Sequence, residues 1–436
     1  MTPHQPRRSP VRLGLFAAVA ALAAACGEGQ AHEVPVSKLL GTPALRIALV
    51  EHLGEGALDE QIRATQSKVQ EQPDVPRLER LATLFISKAR VTGDPGFYKQ
   101  AEACANAMPV ADGGDLAARL VRGHVKHALH DFAAAESIAR GLVQERGLFL
   151  DHGLLGDVLL DQGRIDEART VYQKMVDLKP CLQSYARAAQ LRWMQGDAGG
   201  CRELLGNAAA SGSRRDPESL AWVMTRLASL DLQCSDFAAA LRAADEALEL
   251  VPSYPAALMA RGRAAAGLGQ SDVALASFAA AAERYPLPEH LWAFSDALRA
   301  AGSVVDAARV EAQLERTGET EDPRTLALWL ATMQRDVGRS LRLAEAESKV
   351  RQDAFTLDAL AFARFRAGDV EGARAAMQQA LAVGVRDARL LLHAALVADA
   401  AGERDAAIAH VAAARERKGA LLPSERGLLA DLTARL

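Results

Sequence analysis

Residues 155–180 read LGDVLLDQGRIDEARTVYQKMVDLKP. An apolar run carrying Gly156 leads to a turn at Gly163, a small residue follows at Ala168, an aromatic at Tyr172, and Pro180 closes the stretch. This is the pattern of two short helices packed antiparallel around a glycine turn. Gly156 and Ala168 lie where the helix axes cross and larger side chains would hold them apart, while Tyr172 fills the next gap. Proline stops the second helix because it lacks an amide hydrogen and clashes with the preceding turn.

The pattern recurs along the chain. Gly196 precedes Cys201, Gly269 precedes Ala274, Gly302 precedes Ala307, Gly368 precedes Ala373 and Gly402 precedes Ala407. Gly163 and Gly196, Gly269 and Gly302, and Gly368 and Gly402 are 33 or 34 residues apart, and Pro252 and Pro286 are spaced by 34. A fixed period of this length marks a repeat array in which each unit buries its apolar face only against its neighbours. Leu258, Gly262, Ala274, Phe278, Ala281 and Pro286 repeat the opening pattern almost position for position.

These residues resemble the tetratricopeptide repeat. The resemblance implies an all-α, right-handed superhelical solenoid. About ten hairpins are expected, with second helices marked by Ala101, Ala135, Ala168, Cys201, Ala240, Ala274, Ala307, Leu343, Ala373 and Ala407. The first and eighth fit least well, and Ser211–Pro217 reads as a loop inserted between the fourth and fifth. The expected organisation is a signal peptide over 1–25, a tether with a short helix over 26–57, the solenoid over 58–420 and a capping helix over 421–436. In that last helix Ser424 is the expected cap, Leu428, Leu429 and Leu432 form the apolar face, and the whole would cover the end of the stack. Between the tether and the first hairpin, Leu39-Leu40 and Ile47-Ala48-Leu49-Val50 supply the apolar residues of the short helix.

Composition agrees with an all-helical chain, being 50% hydrophobic but only 5% aromatic. Formal net charge is −4; the leader contributes Arg7, Arg8 and Arg12 and no acidic residue, so the remainder carries −7. A mildly acidic chain of this kind excludes nucleic acid as the expected partner, because phosphate neutralisation needs a basic face. The first 25 residues combine a basic segment, the apolar run Leu13–Leu22 and the small residues Ala23-Ala24-Ala25, which is the arrangement of a bacterial secretory signal peptide. Cys26 follows directly and makes the junction resemble a lipobox, whose cysteine would be acylated. Secretion with a free Cys26, or a retained leader, are the alternatives. The expected location is the periplasmic side of the cell envelope, and Gly27 after the modified Cys26 would favour the outer membrane. The other cysteines, Cys104, Cys181, Cys201 and Cys234, are even in number, which leaves a disulfide open, and match no metal motif.

In the family, certain first-helix positions face a concave groove. Carried over, they give Asp157, Asp161, Gln190, Trp193, Trp222, Met259, Arg263, Trp292, Asp296, Arg299, Arg335, Asp336, Phe355, Phe362, Phe365 and Arg366. Aromatic and arginine side chains suit a peptide-binding surface, with Trp193, Trp222, Arg263, Trp292, Asp296, Arg299, Phe355, Phe362, Phe365 and Arg366 the candidates; packing between helices is the plain alternative for each ring. The Lys and Asn pattern with which some members grip a C-terminal carboxylate is not present at these positions. Four segments, His130-Asp131-Phe132, Tyr285-Pro286-Leu287-Pro288-Glu289, Asp358-Ala359-Leu360-Ala361 and His393, also resemble those of bacterial repeat lipoproteins, a similarity that assigns no activity.

His124, His127 and His130 with Asp131 form the one cluster resembling metal ligands, but a single helix seldom supplies a full coordination sphere. No phosphate loop, nucleophile elbow or zinc-protease pair occurs. The expected function is therefore a non-enzymatic adaptor binding a protein or peptide, without a cofactor, and with membrane contact through the lipidated N-terminus. The alternatives are an assembly factor for an envelope machine or appendage and, from a different class, a periplasmic metal-binding factor or enzyme.

Overall fold

The computed structural model describes residues 41–109 and 114–436. The signal peptide, Cys26 and Leu39-Leu40 lie outside them. Among the described residues every regular element is helical: a short α1 (Pro43–Ala48), a single helix α2 (Ala57–Glu71), ten hairpins and a final helix. The hairpins pair α3 (Val75–Thr92) with α4 (Gly96–Ala107), α5 (Gly114–Ala128) with α6 (Phe132–Glu145), α7 (Phe149–Asp161) with α8 (Ile165–Leu178), and α9 (Leu182–Met194) with α10 (Ala198–Ala210). The fifth to seventh are α11 (Pro217–Gln233) with α12 (Phe237–Leu250), α13 (Pro255–Gly267) with α14 (Ser271–Arg284), and α15 (Pro288–Ala300) with α16 (Val304–Glu321). The last three pair α17 (Pro323–Met333) with α18 (Val337–Val350), α19 (Ala354–Arg366) with α20 (Val370–Ala382), and α21 (Ala388–Ala400) with α22 (Arg404–Glu416). A 3-10 turn (Lys418–Ala420) then leads to α23 (Pro423–Arg435). No helix among the described residues is long and apolar enough to cross a membrane.

All ten marker residues sit early in second helices and are at most 8% exposed. The crossings are as tight as the small residues imply: a Cβ on Gly262 would lie 2.6 Å from the Phe278 ring. The turns share one geometry. In the third hairpin Gly163 has φ +75°, the Arg164 amide donates to Leu159 O at 2.9 Å, and the same six-residue closure recurs in most of the others. In three hairpins the left-handed position is not glycine. His130 (φ 60°) and Ser235 (φ 56°) take it in the second and fifth, and the eighth turns on Gln334 (φ 53°) and Asp336 (φ 30°), with Asp336 Oδ1 accepting from the Arg339 amide at 3.0 Å. That substitution is why the eighth unit fits the sequence pattern poorly. His130 is a turn residue whose ring stacks on Phe132 with centroids 5.5 Å apart.

The superhelix is wound until successive turns touch. A Cβ on Gly163, in the turn of hairpin three, would lie 2.7 Å from Gln352 O in the loop before hairpin nine, and one on Gly196, in the turn of hairpin four, 2.7 Å from Gly384 O in the loop before hairpin ten. Ser235 Oγ, in the turn of hairpin five, donates to Glu416 O at the end of hairpin ten at 2.8 Å. The turns of hairpins three, four and five thus meet the chain five to six hairpins further on. The first helices line an interior that is closed around much of its circumference.

The final segment does more than cover an end. Its 3-10 turn packs on α11, α13 and α21, and α23 packs on α15, α17, α21 and α22. All but α22 are first helices, so the segment runs back along the concave face. Ser424 is not the cap: α23 starts after Leu422, whose amide donates to Glu425 Oε2 at 2.8 Å, and the Ser424 hydroxyl is committed elsewhere. Cys104, Cys181, Cys201 and Cys234 are unpaired, and burial pushes the Cys104 thiol well above its ordinary range.

Candidate functional site: the axial face

The first helices present three layers of polar and aromatic side chains to the axis. In the layer built by α5, α7 and α9, Asp157 takes a bidentate pair from Arg187 (Nε 2.8 Å, Nη2 2.7 Å) and a 2.8 Å hydrogen bond donated by the Tyr172 hydroxyl. Burial works against the charge on Asp157, but Arg187 overcomes it and holds the carboxyl below its ordinary range. His127 Nε2 lies 3.0 Å from Asp161, which Arg351 approaches at 3.6 Å from the next superhelical turn. Burial pushes His124 down to about 4. Among the described residues no group of three or more His, Cys, Asp or Glu is arranged to hold a metal ion.

The middle layer surrounds a cavity of about 300 Å³ lined mainly by the first helices or leading loops of hairpins four to ten, with Cys201 and Leu205 of α10 and Ala420 of the 3-10 turn. Gln190 and Trp193 come from α9, Arg226 from α11, Met259 and Arg263 from α13, Glu289 from α15, Arg324 from α17, Phe355 and Asp358 from α19, and Asp387 and Arg389 from the start of α21. Most charges here are spoken for. Arg263 donates to Glu289 Oε1 at 2.5 Å; burial resists ionisation of Glu289, but Arg263 and Arg389 bring it down to about 2. Asp387 caps α21 through the Arg389 amide at 2.9 Å, and Asp358 meets His393 Nδ1 at 3.0 Å. Arg226 is the exception. Its guanidinium hydrogen-bonds to neutral Gln190 Oε1 and to no carboxylate, and burial depresses its pKa. A guanidinium has five donors, so this one, which lines the cavity, keeps donors without a protein acceptor.

The sequence-derived groove residues divide between this cavity and the third layer. Trp193, Arg263 and Phe355 line the cavity, and Trp222 stays 36% exposed on α11. Trp292, Asp296 and Phe362 are not open groove positions. Trp292 is fully buried, with its Nε1 donating to Ser424 Oγ at 3.1 Å and the Arg389 guanidinium 5.1 Å from its ring centroid. Asp296, 3% exposed, accepts from the Ser424 amide (2.9 Å) and hydroxyl (2.7 Å); burial pushes it up to about 6 in spite of those bonds. Phe362 is fully buried and stacked on His393 with centroids 3.8 Å apart. Arg299 is tied to Glu311 of its own hairpin at 2.7 Å, so it is a brace and not a free cation. Phe365 packs on Phe362, and Arg366 covers both rings at 5.0 and 5.3 Å. Sequence reasoning missed Arg226 and Arg324. Arg226 stands four residues after Trp222 on one helix face, a signal that was available.

Residues 118–181, 153–219 and 225–287 match the tetratricopeptide repeat family. The chain contains tetratricopeptide repeats. Such repeats are, in general, protein-interaction scaffolds. No curated protein matches the chain. Among solved structures, the MamA protein is 20% identical over 39% of this chain and 92% of that one, at a TM-score of 0.31. Another, from the APC/C hetero-tetramer Cut9-Hcn1, is 13% identical over 91% of this chain and 98% of that one, at 0.35. The human IFIT1 dimer with m7Gppp-AAAA is 13% identical over 75% and 76%, at 0.48. Overlaps this loose carry nothing about the ligand of this chain.

Proposed function

We propose that this protein is a non-enzymatic adaptor of the bacterial cell envelope, held at the periplasmic side by acylated Cys26, that binds a protein or peptide through its axial face. The observation that carries the reading is Arg226: a depressed guanidinium, with only an amide oxygen as protein partner, facing an open cavity beside Trp193 and Phe355. A half-buried cation without a carboxylate partner is costly unless something supplies the missing acceptors. Arginine and aromatic side chains at the floor of a concavity are what protein interfaces use as anchors. The envelope location rests on the leader and Cys26 alone.

The test is a photoreactive residue at Trp193 in the native host. A discrete protein adduct that disappears in Arg226→Met supports the adaptor, whereas crosslinks confined to the chain itself remove it. Cys26→Ser is expected to release the protein from the membrane fraction; continued membrane association would overturn acylation as the anchor.

A further inference from the structure

The concave face already has an occupant, residues 418–435 of the same chain, which pack on the first helices of hairpins five to eight and ten. The segment belongs to no hairpin and is joined to the array only through Arg417. Its apolar side is fully used, with Leu421, Leu422, Leu429 and Leu432 at most 4% exposed. Its polar first turn is used as well: Ser424 bridges Trp292 Nε1 and Asp296, and Glu425, with no exposure, pairs with Arg389. Arg389 in turn lies over the Trp292 ring, so the receiving wall is a socket whose own side chains hold one another in place. Hydrophobic anchors spaced along one helical face, with charge-assisted bonds at the entry turn, are how a helix is bound in a groove.

We propose that this socket, formed by α15, α17 and α21, is a helix-binding site that the chain fills with its own C-terminal segment. The partner it fits is an amphipathic helix of another protein, with a leucine at the helix entry, a hydroxyl and a carboxylate in the first turn, and leucines seven and ten residues after the first. These are the positions of Leu422, Ser424, Glu425, Leu429 and Leu432. The inference rests on the adaptor reading and specifies the partner as a helix. An incoming helix of this chemistry leaves neither Arg389 nor Asp296 unpaired, because it brings the groups that α23 withdraws. The resident segment competes at an effective concentration of about a millimolar, so a free helix that binds the empty socket at ~10 μM is weakened about 100-fold in the intact chain.

The probe is a fluorescently labelled synthetic peptide of residues 418–436, followed by anisotropy with the full chain. Glu425→Gln loosens the resident helix and leaves every wall residue in place, so it is expected to take up the peptide at least about 10-fold more tightly than the parent. Adding Arg389→Glu to that variant is expected to abolish uptake. Truncation after Arg417, with helicity retained, should raise affinity about 100-fold. Equal affinity in the parent and Glu425→Gln, or a folded truncated chain that ignores the peptide, overturns the inference. So does a concentration-dependent dimer that peptide dissociates, because the occupant would then be a second copy. Failure here with a surviving Trp193 crosslink sinks the socket alone; loss of that crosslink with intact peptide uptake sinks the cavity reading alone.

Discussion

Asp296 makes the seating of α23 measurable as a pH dependence. Its carboxyl is 3% exposed and pushed up to about 6 by burial under α23, against the 3.8 of a free side chain. The folded chain therefore binds this proton more tightly than the unfolded chain. The sign follows: the folded state loses almost nothing to Asp296 below about pH 3, progressively loses stability as pH rises from there to about 6, and carries the whole penalty above it. With those two values the linkage integral gives about 0.5 kcal/mol of penalty at pH 4 and about 3 kcal/mol at pH 7. Asp296→Asn keeps an acceptor for the Ser424 amide and removes the ionisation. The unfolding free energy of the variant minus that of the parent, from urea titrations followed by helical ellipticity, is predicted to rise by about 2 kcal/mol between pH 4 and pH 7. Taking the difference cancels the opposing contribution of groups such as Glu289. A flat difference would mean that Asp296 is solvated and α23 is not seated on it, which refutes both the burial and the socket argument.

Gly262→Ala puts a methyl group against the Phe278 ring and is predicted to cost about 1 to 3 kcal/mol, read as a lowered urea midpoint; an unchanged midpoint would show that the crossing has slack. Asp157→Asn strands Arg187 in the interior and should cost roughly 3 kcal/mol, with Arg187→Met in the same chain recovering most of it in thermal melts. If the double variant is as unstable as the sum of the singles, the pair is not coupled. Arg226→Met is predicted to leave stability unchanged or raise it slightly, since the residue it removes has only Gln190 to lose, and a clear drop in melting temperature would contradict that.

The array was legible because its physics is local. A glycine turn, a small residue at each crossing and a proline stop are all dictated within about 34 residues, and each marker from Ala101 to Ala407 landed in its second helix. The signal weakened only where His130, Ser235 or the Gln334 to Asp336 turn took a backbone conformation that glycine holds elsewhere. The axial face was legible in direction and not in state. Helical register shows that Trp292 and Asp296 point inward, but Ser424 lies 132 residues beyond Trp292, and no local pattern announces that it returns to sit there. Arg299 and Phe362 were lost for a similar reason. Glu311 and His393, which engage them, come from other helices, so whether a ring or a cation is free depends on partners that periodicity does not name.

The seam between successive superhelical turns bears on how such a chain can change length. Repeat arrays ordinarily gain or lose whole units at little cost, because each unit touches only its neighbours. Here Gly163 is matched to Gln352 and Gly196 to Gly384, so the count of hairpins between them is part of the fit. Duplicating one unit within that interval would set every turn above the insertion opposite the wrong loop. Melting a chain with a duplicated hairpin six would show it: two separate transitions where the parent has one mark a seam that has come apart, and a single unshifted transition would mean that it carries no weight. A repeat protein closed on itself in this way has given up the evolutionary freedom that repetition usually confers, and its number of hairpins becomes as fixed as the strand count of a barrel.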